Sequence, residues 1–294
     1  MLKQLDFVAV GPHKTGTSWI YNYLNDYQQV ALPTKVKETF FFDRKFDRGL
    51  DWYFSHFTQL NPGQKFGEIA PSYFSSTEAT QRIYEHNPHC KILVTLREPV
   101  SRLVSFFMHM KQRGEVEPQT SFIEAIDRKE VLKDTALYYY HLSRWIETFG
   151  ADNVRVMFFE RLQSSPEVFA KELCQKLEID LEDTSKDLSK KVNDSKAPVN
   201  HNLSRTLYSV VNSLHSLGLH KVVEYGKNLG IKQLITSSKT QEFQLSQDEF
   251  VYVFNLLEQD LMRLETLGLD LSGWKKVWSQ QGITISNDFR ENTN

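Results

Sequence analysis

Gly11-Pro12-His13-Lys14-Thr15-Gly16-Thr17-Ser18-Trp19 follows a short apolar run, Leu5–Val10, and leads into Ile20, Tyr23, Leu24 and Tyr27 at helical spacing. The order is buried strand, glycine-bearing loop, then a helix over Thr17–Tyr27. Backbone N–H groups of such a loop converge on the helix N-terminus, where the macrodipole favours an anion. Gly11 and Gly16 let the backbone come close to a phosphate. Thr15, Thr17 and Ser18 add hydroxyl donors, and Lys14 adds a full charge. The segment reads as an anion cradle, the alternative being a glycine turn with an incidental lysine.

The rest of the chain repeats the alternation. Lys91–Leu96 reads as a second strand followed by a helix over Val100–Lys111. Val154–Phe159 reads as a third, followed by a helix entered at Pro166, a favoured first helical position. Strands alternating with helices predict an α/β protein: a P-loop-like three-layer fold whose central, mostly parallel sheet is flanked by helices. Ligands of such sheets sit at the carboxyl ends of the strands, and Gly11, Arg97 and Glu160 each follow one. Residues 1–294 are expected to form one domain, with 1–180 as the nucleotide-binding core and 181–294 a mostly helical part. Asp180–Asn202 is polar and reads as a loop. Ser246-Gln247-Asp248-Glu249 has capping-box spacing, followed by a core stripe of Phe250, Phe254, Leu257, Leu261 and Leu264 that Gly268 suits to end.

Composition is that of a globular protein: 294 residues, 40% hydrophobic, 24% charged, net charge −2. That balance gives no global pull on nucleic acid or acidic lipid, so any anion site is local. Cys90 and Cys174 read as reduced thiols, and with no signal-peptide pattern or membrane span the expected location is cytoplasmic. Metal-ligand spacing is not seen, and no metal is expected to be required.

The loop differs from the Gly-x-x-x-x-Gly-Lys-Ser/Thr of nucleotide triphosphatases, because Thr17 follows Gly16 and the lysine stands at position 14. The second strand ends in Arg97 rather than in a magnesium-holding acid. A kinase or triphosphatase is therefore the second reading. Arg97 at the end of a buried strand can fork two N–H groups onto a phosphate. Ser105 reaches the same anion if Pro99 turns the chain sharply.

His13 to Trp19 resembles the 5′-phosphosulfate loop of sulfotransferases that use 3′-phosphoadenosine 5′-phosphosulfate (PAPS), with the form Pro-Lys-Ser/Thr-Gly-Thr/Ser-Thr/Ser-Trp. The resemblance is strongest to the heparan sulfate branch, including the N-deacetylase/N-sulfotransferases, and covers residues 5–180 well. It implies that Pro12, His13, Lys14, Thr15, Gly16, Thr17, Ser18 and Trp19 bind the cosubstrate. Arg97, Glu98, Pro99, Arg102 and Ser105 fit the family's 3′-phosphate pattern, which assigns Arg97 and Ser105 to that phosphate. Arg102 could equally be a surface residue paired with Glu98.

Glu38 falls where heparan-type enzymes carry a catalytic base, ahead of Phe41-Phe42-Asp43. His109 falls at an active-site histidine of the N-sulfotransferase branch; a helix-surface histidine is the plain alternative. His13 is a lesser candidate for touching substrate. Gly67–Phe74 resembles a family segment whose lysine, proposed to assist charge at the reacting centre, is Ile69 here. Either Lys14 carries that charge alone, or Lys37 or another cation substitutes. The implied activity is in-line sulfuryl transfer to a hydroxyl or amine of a small-molecule or saccharide acceptor, with Glu38, Lys14 and His109 as catalytic residues. A non-catalytic phosphonucleotide-binding protein is a third reading. The loop over Asp180–Asn202 would shape the acceptor pocket or cover the adenosine, with Asn193, Ser195 and Lys196 its candidates. Oligomeric state is unknown.

Overall fold

Five parallel strands form the centre of the protein in the order β2-β3-β1-β4-β5. They are β1 (Phe7–Ala9), β2 (Val30–Ala31), β3 (Lys65–Ile69), β4 (Lys91–Leu96) and β5 (Val154–Phe158). The computed structural model describes residues 4–58, 61–181, 188, 196–198, 201–216, 222, 236–240 and 243–283. Register is tight at the centre, where Ala9 lies between Ile69 of β3 and Leu93 of β4.

Side chains alternate across the pleat, so each strand feeds two cores. Phe7, Ala9, Ile69, Leu93 and Met157 pack on one face with α1 (Thr17–Leu24) and α10 (Pro166–Leu177). Val8, Val10, Ile92, Val94 and Leu96 form the other face. It is covered by α4 (Thr77–His86), α5 (Pro99–Arg113), α8 (Tyr138–Phe149), α12 (Gln247–Arg263) and α13 (Ser272–Gln280). This is the expected three-layer architecture. Shorter helices complete the first two-thirds: α2 (Phe41–Arg44), α3 (Gly49–Phe54), α6 (Phe122–Arg128), α7 (Glu130–Asp134) and α9 (Phe159–Ser164).

The C-terminal helices share the larger core. The α12 stripe of Phe250, Phe254, Leu257 and Leu261 is at most 4% exposed. Ser246 and Glu249 form the expected capping box, and Gly268 ends a 3-10 turn at Leu264–Leu267. Trp278 of α13 donates its indole N–H to Glu98 Oε1 (3.0 Å), joining this region to the start of α5. Asn193 and Ser195 lie outside the described residues. Lys196 begins β6 (Lys196–Pro198), antiparallel to β7 (Thr236–Thr240), and α11 (His201–Ser216) follows. Among the described residues no helix is long and apolar enough to cross a membrane.

Candidate active site

The loop after β1 is shaped by its contact with β4. A Cβ on Gly11 would collide with the carbonyl and hydroxyl oxygens of Thr95, so only glycine lets the chain pass. Thr15 is fully buried, and its hydroxyl bonds the Pro12 carbonyl and Thr95 Oγ1, both at 2.8 Å. This threonine braces the loop from inside. Gly16, with φ of 91°, turns the chain into α1 from the left-handed region.

The start of α1 has no side-chain cap and no acid in its first turn, whereas α4, α6 and α12 are each capped by a serine. The Thr17 and Ser18 N–H groups have no intrahelical acceptor, so the end fits an anion. Trp19 faces the core instead. It stacks on Tyr23 (4.8 Å between centroids), meets Phe169 edge-on, and donates to the Leu188 carbonyl.

β1 and β4 are neighbours, so the loop after β1 and the segment beginning at Arg97 meet. Arg97 Nη1 donates to the Lys14 carbonyl (3.4 Å), and the guanidinium lies over the Phe159 ring at 4.9 Å. Burial, with Arg97 and then Lys37 alongside, pulls the Lys14 ammonium down to about 8. Lys14 also has φ of 78°, a costly conformation outside glycine that persists where the surroundings fix it.

Glu98 caps α5, accepting from Val100 N–H (3.1 Å) and Ser101 N–H (2.7 Å). Its own N–H donates to Glu160 Oε1 at 2.7 Å, so Glu160 does join the rim. Ser105, two turns into α5, is half-buried. Arg102 is not the surface residue of the alternative reading. It is fully buried, gives Nη1 to Thr135 Oγ1 (3.2 Å), and lies near the Phe106 and Tyr138 rings. The Glu98 carboxylate instead bonds the first turn of α5 and Trp278, acting on Arg102 only through its charge.

Glu38 stands in the connection between β2 and α2. Its side chain is 17% exposed, and burial raises its carboxyl above the usual range, with Lys37 opposing. Lys37 Nζ lies 3.2 Å from Glu38 Oε1 and 3.2 Å from Ser18 Oγ, bridging the acid to the first turn of α1. Phe41 and Phe42 are fully buried core residues rather than substrate contacts. His13 stacks on Phe106 of α5 (5.2 Å). Burial, followed by the charges of His109, Lys37, Arg102 and Arg113, lowers its imidazole to about 3, so it is neutral. His109 is half-buried on the same helix and acts on His13 through that field.

Three residues that sequence reasoning did not single out hold this arrangement. Glu68 of β3 is fully buried and accepts from Thr39 N–H (2.8 Å), Thr39 Oγ1 (2.7 Å), Tyr53 OH and Tyr73 OH (both 3.1 Å). Tyr73 in turn accepts from the Phe41 and Phe42 N–H groups. Arg113, at the end of α5, acts on both Glu38 and His13 and lines a cavity of about 780 Å³ with Glu115, Thr120, Arg128, Arg205 and Tyr208. Only Glu68 and Tyr73 had a sequence signal, through the Gly67–Phe74 segment.

Comparison with known proteins agrees with this geometry. A family model described as "Sulfotransferase domain" matches residues 4–221. Over 190 residues the chain is 29% identical to the bifunctional heparan sulfate N-deacetylase/N-sulfotransferase of Drosophila melanogaster, covering 54% of this chain and 18% of that protein. Over 169 residues it is 34% identical to heparan sulfate glucosamine 3-O-sulfotransferase 6 of Homo sapiens, covering 54% of this chain and 48% of that one. The chain thus spans half the length or less of these curated relatives. A crystal structure of a sulfotransferase from Alicyclobacillus acidocaldarius shares the fold, with a TM-score of 0.65 at 22% identity over 93% of this chain and 100% of that one. With the family model matching residues 4–221, which hold all five strands of the sheet, the chain belongs to the sulfotransferase family.

Proposed function

We propose that the protein transfers the sulfuryl group of PAPS to a hydroxyl or amine acceptor, and that residues 1–294 act as one domain. The observation that carries this is the meeting of the uncapped α1 terminus with Arg97 at one rim of the sheet, with Glu38 tied across from them. One anion fits the loop and a second fits Arg97, which suits a nucleotide with phosphate at both ends. Arg97 and Ser105 hold the 3′-phosphate.

In the transfer the bond from sulfur to the bridging oxygen of the phosphosulfate breaks as a bond from the acceptor atom forms in line with it. Glu38 takes the acceptor proton, its raised carboxyl matching that task. The electron pair stays on the departing phosphate, where Lys14 and the N–H groups at the start of α1 stabilise it. His109 orients the acceptor. Metal is not needed in this scheme, because cationic donors cover the developing charge.

The names of the relatives, which act on heparan sulfate, support a saccharide acceptor, and the cavity beside Arg113 gives room for one. Cys90 and Cys174 are buried and not joined in a disulfide, which supports a reducing, cytoplasmic setting. The kinase reading is weaker because Glu98, beside the loop, is committed to capping α5. The test is incubation with sulfur-labelled PAPS and a panel of saccharides and small alcohols. Label on an acceptor with matching release of 3′-phosphoadenosine 5′-phosphate (PAP) is expected. Magnesium-dependent ATP turnover with no label transferred contradicts it.

A further inference from the structure

The reacting centre lacks a cation from β3. Ile69 is fully buried in the core shared with α1, and Lys65, at the other end of the strand, bonds the Leu177 and Glu178 carbonyls. A sulfuryl group between Lys14 and Glu38 carries negative charge on its outer oxygens, and a carboxylate close by repels it. Something positive must stand between them.

Lys37 occupies that place. Its ammonium reaches both the Ser18 hydroxyl and the Glu38 carboxylate at 3.2 Å, so it bridges the first turn of α1 and the proposed base. Its neighbours leave the site: Lys35 turns away to the Ser55 carbonyl, and Thr39 is fixed to Glu68. The loop that presents Lys37 is therefore pinned directly after it. Lys37 also acts electrostatically on His13 and Lys14, which puts it within the same small volume.

We propose that Lys37 is a further catalytic residue, which bonds the outer oxygens of the sulfuryl group during transfer and so supplies the charge that Ile69 cannot. This rests on the sulfotransferase reading of the site. Lys37 stays protonated throughout. The sulfur–oxygen bond to the 5′-phosphate breaks, the bond to the acceptor atom forms, the acceptor proton goes to Glu38, and the leaving pair remains on PAP. Before substrate binds, the same ammonium is held by Glu38 and Ser18. Arg113 and Asp43 also act on Glu38, the first favouring its charged form and the second opposing it.

The experiment compares Lys37→Met and Lys37→Arg with the wild type in kcat from pH 5 to 9, together with calorimetric binding of PAP, which has no sulfuryl group. Lys37→Met is expected to lower kcat about 100-fold or more at every pH, including the plateau. PAP affinity stays within about threefold, which also shows that the loop folds, and Lys37→Arg recovers part of the rate. A plateau rate within threefold of the wild type, with only the acidic limb displaced, would show that Lys37 merely tunes Glu38 and overturns the proposal. Failure of the wild type itself to transfer sulfate would instead overturn the reading on which this rests.

Discussion

Glu68 accepts two hydrogen bonds from Thr39, one from its backbone N–H and one from its hydroxyl, and Thr39 is the residue after Glu38. A carboxylate on an interior strand of the sheet thus fixes the loop carrying the proposed base. With the hydroxyls of Tyr53 and Tyr73 on its other oxygen, its lone pairs are well served, as a buried carboxylate requires.

Burial still outweighs those donors and pushes the Glu68 carboxyl up from 4.5 to about 7. The folded protein therefore keeps a proton that the unfolded chain loses, and stability falls as pH rises from about 4.5 through 7. Glu68→Gln should lack that component, worth roughly 3 kcal/mol at full size. Urea unfolding at pH 4.5 and pH 8 on both proteins measures it. Equal pH slopes for wild type and variant would refute the assignment.

Lys14 titrates near 8 without ligand. Because phosphate binds the charged form, PAP affinity should weaken above pH 8, by at most about tenfold per unit. Lys14→Met should bind more weakly and show no such decline. Calorimetry between pH 7 and 9.5 separates the two, and a decline of the same size in the variant would assign it to another group.

Gly11→Ala places a methyl group against the backbone of Thr95. The strand and loop must separate, at a cost of about 1–3 kcal/mol, and the cradle opens with them. We expect a lower melting temperature and loss of PAP binding. Retention of both would mean that the loop is more plastic than this packing implies.

Trp278 and Trp274 offer a matched pair. The Trp278 indole N–H bonds Glu98, while the buried Trp274 N–H has no partner among the described residues. Trp278→Phe should destabilise the protein by about 1 kcal/mol more than Trp274→Phe, since it also strips a donor from a buried carboxylate. Equal losses in denaturant titration would show that packing alone matters.

Local signals carried far in this chain. β4 occupies Lys91–Leu96 as its content of Ile, Leu and Val predicts, and α1 begins at Thr17 as the glycine loop predicts. It stops at Leu24 rather than Tyr27, although Tyr27 is still buried beyond the helix end, which is why its spacing looked helical. β3 was not legible as a strand, and the resemblance touched it only through the segment Gly67–Phe74. Lys65-Phe66-Gly67-Glu68-Ile69 breaks strand patterning, because Gly67 makes room for the Phe7 ring and Glu68 is charged yet central. Arg102 misled for a similar reason, since its burial depends on Thr135 and Tyr138 arriving from elsewhere in the chain. The loop at Gly11–Trp19 and the segment Arg97–Ser105, proposed to hold the phosphates, each lie in contiguous sequence. The support behind Glu38 is assembled from Thr39, Tyr53, Glu68 and Tyr73, and no one stretch of sequence contains it.

If Glu38 is the base at a PAPS site built by Lys14 and Arg97, removing its carboxylate slows the chemical step and spares nucleotide binding. The most direct test is single-turnover transfer of labelled sulfate by Glu38→Gln beside the wild type, with PAP affinity measured on both. A rate lower by about 100-fold or more, with PAP affinity nearly unchanged, is expected. An unimpaired rate in the variant would contradict it.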